Sequence, residues 1–279
     1  MTDTSAEIER HYARSGLTDR LLAALAETGR PIDKLTIEDL APIDQFHTRR
    51  IRATEELAQM LAPKPGERLI DIGSGIGGPA RYLAHTYGCR VSGIDLTADF
   101  VAAATELTRR TGLATQVDFQ QASALDLPFP DQSFDLTWSQ NVAMNIADRA
   151  GFYGEMRRVL KPGGRAALQD VVRGPGGEPH YPVMWADTPA TSFLLTPDET
   201  RAQITGAGFE ILEWVDNTEA AIQETQAERE LLRANPQGRP SLGVHLIVGP
   251  SFSEKIRNSG RSLAENRIRL LNAILRRPV

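Results

Sequence analysis

Cysteine is almost absent from this chain: Cys89 is the single such residue among 279. An intrachain disulfide is therefore excluded, and so is a cysteine cage for a metal. Long apolar runs are missing too. The longest, near Leu21 to Ala26, falls far short of the ~20 residues that a membrane helix requires. The N-terminus carries Asp3, Glu7, Glu9 and Asp19 in place of an apolar signal core. Positive charge is not in excess, since 31 Lys and Arg face 36 Asp and Glu for a net charge of −5. Phosphate affinity comes from Lys and Arg, so this balance argues against a chain built to coat nucleic acid. No His, Asp or Glu cluster shows metal-ligand spacing, and no metal site is expected. Together these absences predict a cytoplasmic protein with neither nucleic acid nor membrane as partner.

What is present points to a folded α/β chain. Hydrophobic residues make up 41% and charged residues 24%, enough for a sizeable core. Residues 5–29 read as an amphipathic helix stopped at Gly29-Arg30-Pro31, and residues 36–62 as a second helix ending before Pro63. From Arg68 onward, strand-length apolar runs (68–72, 90–94, 116–120, 134–139, 165–171) alternate with helical stretches (78–87, 98–111, 148–160). Such alternation predicts a parallel sheet covered on both faces. Residues 172–196 break the rhythm with glycines, prolines, Tyr181, Trp185 and Phe193, and read as an active-site lid. A helix from Thr196 to Gly208 follows, then strands at 209–215 and 243–248. Near the C-terminus, Ile256, Leu263, Leu270, Leu271 and Ile274 recur at helical spacing. The same stretch holds Lys255, Arg257, Arg261, Arg267, Arg269, Arg276 and Arg277, which predicts a terminal helix with a basic, solvated face.

The chemistry is concentrated after the first strand. Gly73, Gly75 and Gly78 satisfy G-x-G-x-x-G, whose glycines allow a tight turn and a close approach of backbone to ligand. Asp95 ends the next strand about twenty residues on, where a carboxylate can accept both ribose hydroxyls of an adenine nucleoside. That pattern alone suits a nicotinamide dehydrogenase or a nucleoside-binding transferase. Asp71, two residues before the first glycine, separates them. A carboxylate there repels a dinucleotide's pyrophosphate but suits a ligand carrying ammonium and sulfonium charge.

The order of blocks resembles the class I S-adenosylmethionine-dependent methyltransferases of small-molecule type. The blocks are Asp71-Ile72-Gly73-Ser74-Gly75, then Asp95, then Ala124-Leu125-Asp126-Leu127-Pro128-Phe129, Phe134-Asp135-Leu136-Thr137-Trp138 and Arg158-Val159-Leu160-Lys161-Pro162-Gly163-Gly164-Arg165. Asp44-Gln45-Phe46-His47 and Ala143-Met144-Asn145-Ile146-Ala147-Asp148-Arg149 are further similar to bacterial sarcosine/dimethylglycine N-methyltransferases. The resemblance implies a Rossmann-like, seven-stranded, mostly parallel sheet whose last strand is antiparallel. It implies residues 1–62 as an N-terminal helical cover. Residues 63–279 then form the S-adenosylmethionine-binding domain, with a lid at 172–196 and a C-terminal helix at 251–276. By the same resemblance, Asp71, Gly73 and Gly75 face the methionine part of the cofactor and Asp95 holds its ribose. Leu96, Ala124 and Leu125 flank the adenine, and Gln140 lies beside the transferred methyl.

A hydroxyl acceptor needs a general base. His180 in the lid and His47 in the N-terminal helical segment are the candidates, with His11 and His245 behind them. Tyr12, Phe46, Met144, Tyr181 and Trp185 are candidates for an acceptor pocket, binding a cationic amine through cation–π contacts or an apolar acceptor by burial. The expected reaction is methyl transfer to a nitrogen or oxygen of a small metabolite or natural product. Carbon methylation of an activated or prenyl-type acceptor is the alternative. RNA methylation through the basic C-terminus, a nicotinamide oxidoreductase and a non-catalytic cofactor-binding module stand further back. The oligomeric state stays open, a homodimer included.

Overall fold

A computed structural model describes residues 3–13, 15–234 and 241–279. The chain begins with four helices: α1 (Asp3–Tyr12), α2 (Leu17–Glu27), α3 (Ile37–Asp44) and α4 (Arg50–Leu61). The core follows as β1 (Arg68–Ile72), α5 (Gly78–Tyr87), β2 (Arg90–Asp95), α6 (Ala98–Arg110), β3 (Val117–Gln121), β4 (Phe134–Gln140), α7 (Arg149–Val159) and β5 (Leu160–Arg173). After an irregular segment, 174–196, come α8 (Pro197–Gly206), β6 (Glu210–Asp216), α9 (Thr218–Ala234), α10 (His245–Val248), α11 (Phe252–Ala264) and β7 (Ile268–Arg276).

The seven strands form one sheet in the order β3-β2-β1-β4-β5-β7-β6. β1 to β5 run parallel, and β7 is antiparallel to both β5 and β6. The order reverses between β1 and β4, which opens a crevice at their carboxyl ends, the usual ligand position in such sheets. One face is packed by Phe134, Phe152, Tyr153 and Met156, the other by Leu57, Leu83, Leu136 and Trp138. The expected α/β class, the mostly parallel sheet and the antiparallel last strand all hold.

The structure corrects three sequence readings. The two N-terminal helices are four, because Gly16 divides the first and a turn through His47, with Arg49 and Arg50 at positive φ, divides the second. The apolar run 243–248 is not a strand. It holds α10, where Ile247 packs against the N-terminal helices and Val248 against Phe252, so tertiary burial overrides β propensity. The C-terminal helix 251–276 is α11 followed by β7, the true seventh strand. The chain turns at Asn266, whose φ is 53°, a residue suited to ending a helix. β7 is inserted between β5 and β6 and buried on both faces, so its sequence lacks the apolar–polar alternation of a strand with one solvated face.

That correction also dissolves the basic stripe. Lys255 pairs with Asp187, Arg261 and Arg267 with Glu265, Arg269 with Asp216 and Arg276 with Glu210. Arg277 donates to the carbonyls of Arg157 and Leu160. No helix among the described residues is long and apolar enough to cross a membrane.

Candidate active site

At the crevice, Asp71 stands in register with Gly93 of β2 on one side and Trp138 of β4 on the other. The chain leaves β1 through Gly73 at φ 75°, and the Gly73 and Ser74 N–H groups both donate to the Ile94 carbonyl, at 2.8 and 2.9 Å. A Cβ on Gly73 would lie 2.3 Å from Val142 Cγ2, so the turn after β1 admits no side chain beside the segment after β4. The Gly75 N–H then donates to Asp95 Oδ2 at 2.9 Å, and the Thr97 N–H to Asp95 Oδ1 at 2.9 Å. Each Asp95 oxygen accepts one backbone bond here and keeps capacity for a second.

Asp71 is only 2% exposed, and its Oδ2 has no hydrogen-bond partner. Burial, reinforced by the charge of Asp95, pushes its carboxyl up to about 8. Burial also raises Asp95, against the lowering effect of the Thr97 and Gly75 N–H groups. A buried carboxylate with an open oxygen is costly unless a cation completes it. A second carboxylate with room for a diol stands across the glycine turn. This donor set fits S-adenosylmethionine: Asp71 for the ammonium, Asp95 for the ribose. A pyrophosphate would meet the same carboxylates as repulsion.

Both carboxylates open into a cavity of about 450 Å³, within the range of small-molecule sites. Leu96, Ala124 and Leu125 line its cofactor side, and Leu125 is 37% exposed, an apolar side chain left partly uncovered beside Asp95. Gln140 lies in the wall with both ends of its amide bonded. Its Oε1 accepts from Trp138 Nε1 at 2.9 Å, and its Nε2 donates to Gln169 Oε1 at 2.9 Å.

Residues 70–168 match the family model of the methyltransferase domain. The chain is 34% identical over 184 residues to the methyltransferase GfsG of Streptomyces halstedii, covering 65% of this chain and 66% of that protein. It is 32% identical over 178 residues to the glycine/sarcosine/dimethylglycine N-methyltransferase of Actinopolyspora halophila, covering 64% of this chain and 32% of that one. The chain thus spans about two thirds of the first relative and about one third of the second. Among solved structures, the [4+2]-cyclase SpnF superposes with a TM-score of 0.66 at 25% identity, covering 95% of this chain and 96% of that one. The chain belongs to the class I S-adenosylmethionine-dependent methyltransferases.

Within this methyltransferase fold, the N-terminal helices reach the same cavity. Tyr12, Phe46 and His47 line it, and Tyr12, Phe46 and Phe100 form a cluster with centroids 5.9 to 6.4 Å apart, Phe46 edge-to-face with both of the others. Tyr12 Oη donates to Asn145 Oδ1 at 3.0 Å, while Asn145 Nδ2 donates to the carbonyls of Trp185 and Thr191 at 2.9 Å each. Asn145 thus fastens α1 to the segment between β5 and α8. A second fastening joins His11, Asp187 and Lys255. Lys255 Nζ, 2% exposed, lies 2.9 Å from Asp187 Oδ1 and 3.3 Å from His11 Nε2, and His11 Nδ1 lies 3.1 Å from Asp187 Oδ2.

The two proposed bases fare differently from expectation. His47 is in the cavity wall, but both ring nitrogens face protein: Nδ1 the Thr48 carbonyl at 3.4 Å, Nε2 the Thr54 hydroxyl at 3.0 Å and Gln45 Oε1 at 3.3 Å. Burial lowers its pKa to about 4, so the ring is neutral at ordinary pH. His180 is outside the cavity altogether, with Nε2 2.8 Å from Glu265 Oε2 and its N–H bonded to Ser262 Oγ. Tyr181 is outside as well, half-buried against the apolar cluster around Val183 and Trp185. Met144 and Trp185 do line the cavity, though Trp185 is also a core residue at 3% exposure.

Sequence reasoning missed the far wall. Phe252, Ile256 and Leu263 of α11, Ile268 and Leu270 of β7, and Val244 before α10 complete it. The helical spacing of Phe252, Ile256 and Leu263 was the available signal, obscured by carrying that helix through to residue 276.

Proposed function

We propose that the protein transfers the methyl group of S-adenosylmethionine to a nitrogen or oxygen nucleophile of a small molecule. The observation that carries this reading is the orphaned, buried Asp71 Oδ2 opposite the diol-ready Asp95. When bound, the cofactor supplies a methyl carbon activated by sulfonium, which an acceptor lone pair takes as the C–S electron pair returns to sulfur. The chain's own work is to bind and orient. Asp71 neutralises the ammonium, Asp95, held in place by the Gly75 and Thr97 N–H groups, fixes the ribose, and Leu96, Ala124 and Leu125 enclose the adenine. Orientation of this kind is worth about 7–11 kcal/mol of barrier. An amine acceptor reacts from its neutral form, and a hydroxyl gives up its proton along the way. With its ring nitrogens bonded to Thr48 and Thr54, His47 holds the turn before α4 in place and has no nitrogen turned toward an acceptor.

In the same reading, residues 1–62 close over the cofactor and the lid shapes acceptor choice. Support comes from Tyr12, Phe46 and His47 in the cavity wall and from the chain of bonds that runs from Tyr12 through Asn145 to Trp185 and Thr191. Deleting residues 1–13 removes α1 and leaves Asp44 in place, so faster release of S-adenosylhomocysteine is the expected signature of a lost cover. A second reading, cofactor binding in the service of other chemistry, is favoured by the likeness to a chain named as a cyclase.

Calorimetric titration with S-adenosylhomocysteine and with NADH tests the cofactor assignment. Saturable binding of the first and none of the second is expected, and tighter NADH binding would end the proposal. Incubation of metabolite extracts with methyl-labelled cofactor then reads the acceptor atom. Label on carbon would move the enzyme to the C-methyl class, and cofactor binding without any labelled product would favour the second reading.

A further inference from the structure

The two halves of the cavity have opposite chemistry. Opposite Asp71 and Asp95, the wall is built by α11, the lid and the end of β7, from Phe252, Ile256, Leu263, Trp185, Ile268 and Leu270. On this wall the polar side chains Trp185 and Asn145 are already bonded, and the unpartnered Asn141 Oδ1 stands just past the end of β4. Trp185 Nε1 donates to Ser192 Oγ at 2.9 Å, and Asn145 is saturated by Tyr12, Trp185 and Thr191. Of the cavity's charged side chains besides Asp71 and Asp95, Asp44 is paired with Arg81, Arg49 is paired with Glu56 and Glu224, and Arg50, Asp148 and Arg269 are at least partly exposed. Asp148 is exposed and caps α7 through the Gly151 N–H at 2.8 Å. Arg269 is held by Asn266 Oδ1 at 3.0 Å and lies 3.7 Å from Asp216.

A zwitterionic amine or a phosphorylated head group entering this chamber would shed its hydration against side chains that offer no counter-charge. An apolar body would be driven in by the area it removes from water. The wall is also long: Phe252 to Leu263 spans roughly 16 Å of helix, more than an amino acid can cover. We propose that the methyl acceptor is an uncharged molecule with an extended apolar body, seated on the α11–lid wall and presenting one nucleophilic atom toward the β4 end of the sheet. This rests on the methyl-transfer reading of the same site. It sets the chain's acceptor apart from the small charged amines named for its halophilic relative.

The test uses full-length protein saturated with S-adenosylhomocysteine and the uncharged dye Nile red as fluorescent probe. One saturable dye site is expected, with farnesol, a neutral isoprenoid alcohol, displacing the dye and sarcosine or phosphoethanolamine leaving it bound. Ile256→Asp, which puts a carboxylate in the wall, should weaken dye binding by about tenfold or more and leave S-adenosylhomocysteine affinity unchanged. Displacement by sarcosine or phosphoethanolamine, or dye binding indifferent to Ile256→Asp, overturns the proposal. Should Ile256→Asp not fold, the wild-type competition decides alone. If S-adenosylhomocysteine fails to bind while the dye behaves as expected, the methyl-transfer reading falls and the apolar chamber stands. If the cofactor product binds and the dye does not, the reverse holds.

Discussion

The cofactor half and the acceptor half of one cavity are stabilised by different physics. Around the glycine turn, function depends on groups whose bonding is incomplete: Asp71 Oδ2 and Ser74 Oγ are buried without partners. Beneath that turn lies a buried ion pair, Arg81 to Asp44 at 2.9 Å, with side chains 0% and 2% exposed. Across the cavity, Met144, Val171, Trp185, Leu263, Ile268 and Leu270 form a continuous apolar cluster. The polar half is therefore specified by a few irreplaceable atoms, the apolar half by shape and volume. Single polar substitutions should be ruinous in the first and graded in the second.

The largest effect is expected at Asp44. Its carboxylate joins the end of α3 to Arg81, whose remaining partners are the Ile76 and Ala104 carbonyls and the Thr108 hydroxyl. Asp44→Ala leaves a buried guanidinium without its counter-charge, which costs about 3–5 kcal/mol. Urea denaturation measures it, and a loss below about 1 kcal/mol would show that water reaches Arg81 and that the halves are not so different.

The same contrast explains what could be read without a structure. Gly73, Gly75, Asp71 and Asp95 fall within one strand–turn–helix–strand unit, so their spacing in sequence is their spacing in space. The acceptor wall draws on α1, the lid, α11 and β7, elements more than 200 residues apart at the extremes. No local pattern records that assembly. β7 was misread because a strand buried on both faces loses the period-two signal, and three of its apolar residues, Leu270, Leu271 and Ile274, also fit a helical repeat. His180 was misplaced because lid composition says that a loop is special without saying which side chains turn inward. Instead, Ser262 and Glu265 hold it against the end of α11.

Next in size is Asp71→Asn. The charged bond to the cofactor ammonium is worth roughly 1.5–3 kcal/mol, so S-adenosylhomocysteine affinity should fall by about ten- to a hundred-fold. The empty protein should gain stability by the same change. Asp71 holds its proton up to about 8, whereas the unfolded chain loses it near 4. Between those values the unfolded state binds fewer protons, so stability falls as pH rises, and asparagine removes that fall. Thermal melts at pH 7 should show a higher midpoint for the variant. A lower midpoint with intact affinity would mean that Asp71 is a structural residue.

The wild type should show the matching linkage in binding. Below about 8 the empty site carries the Asp71 proton, and a cationic ligand selects the carboxylate. Binding at pH 7 should therefore release a proton, and affinity should climb by up to about tenfold per pH unit before levelling near 8. Calorimetry in phosphate and in Tris separates the proton term by its ionisation heat. Equal heats in the two buffers would refute it, and Asp71→Asn should abolish the difference.

The smallest effect is expected at His180, where the comparison is sharpest because the outcome should be nothing. Its ring lies outside the cavity that Asp71 and Asp95 line. Its partner Glu265 is also gripped by Arg261 and Arg267 at 2.6 Å each. His180, Arg267 and Arg261 together hold the Glu265 carboxyl down to about 2, and two of the three remain in His180→Ala. Exposed pairs of this kind contribute little to stability. The cofactor constant, the acceptor KM and kcat should all stay within about twofold of wild type, and the thermal midpoint should not move measurably. Glu265's depressed pKa favours the native state above the unfolded carboxylate value, and that contribution disappears only as pH falls toward about 2. A loss of kcat with cofactor affinity intact would place His180 at the chemistry, and would require the lid to turn that ring through to the cavity during turnover.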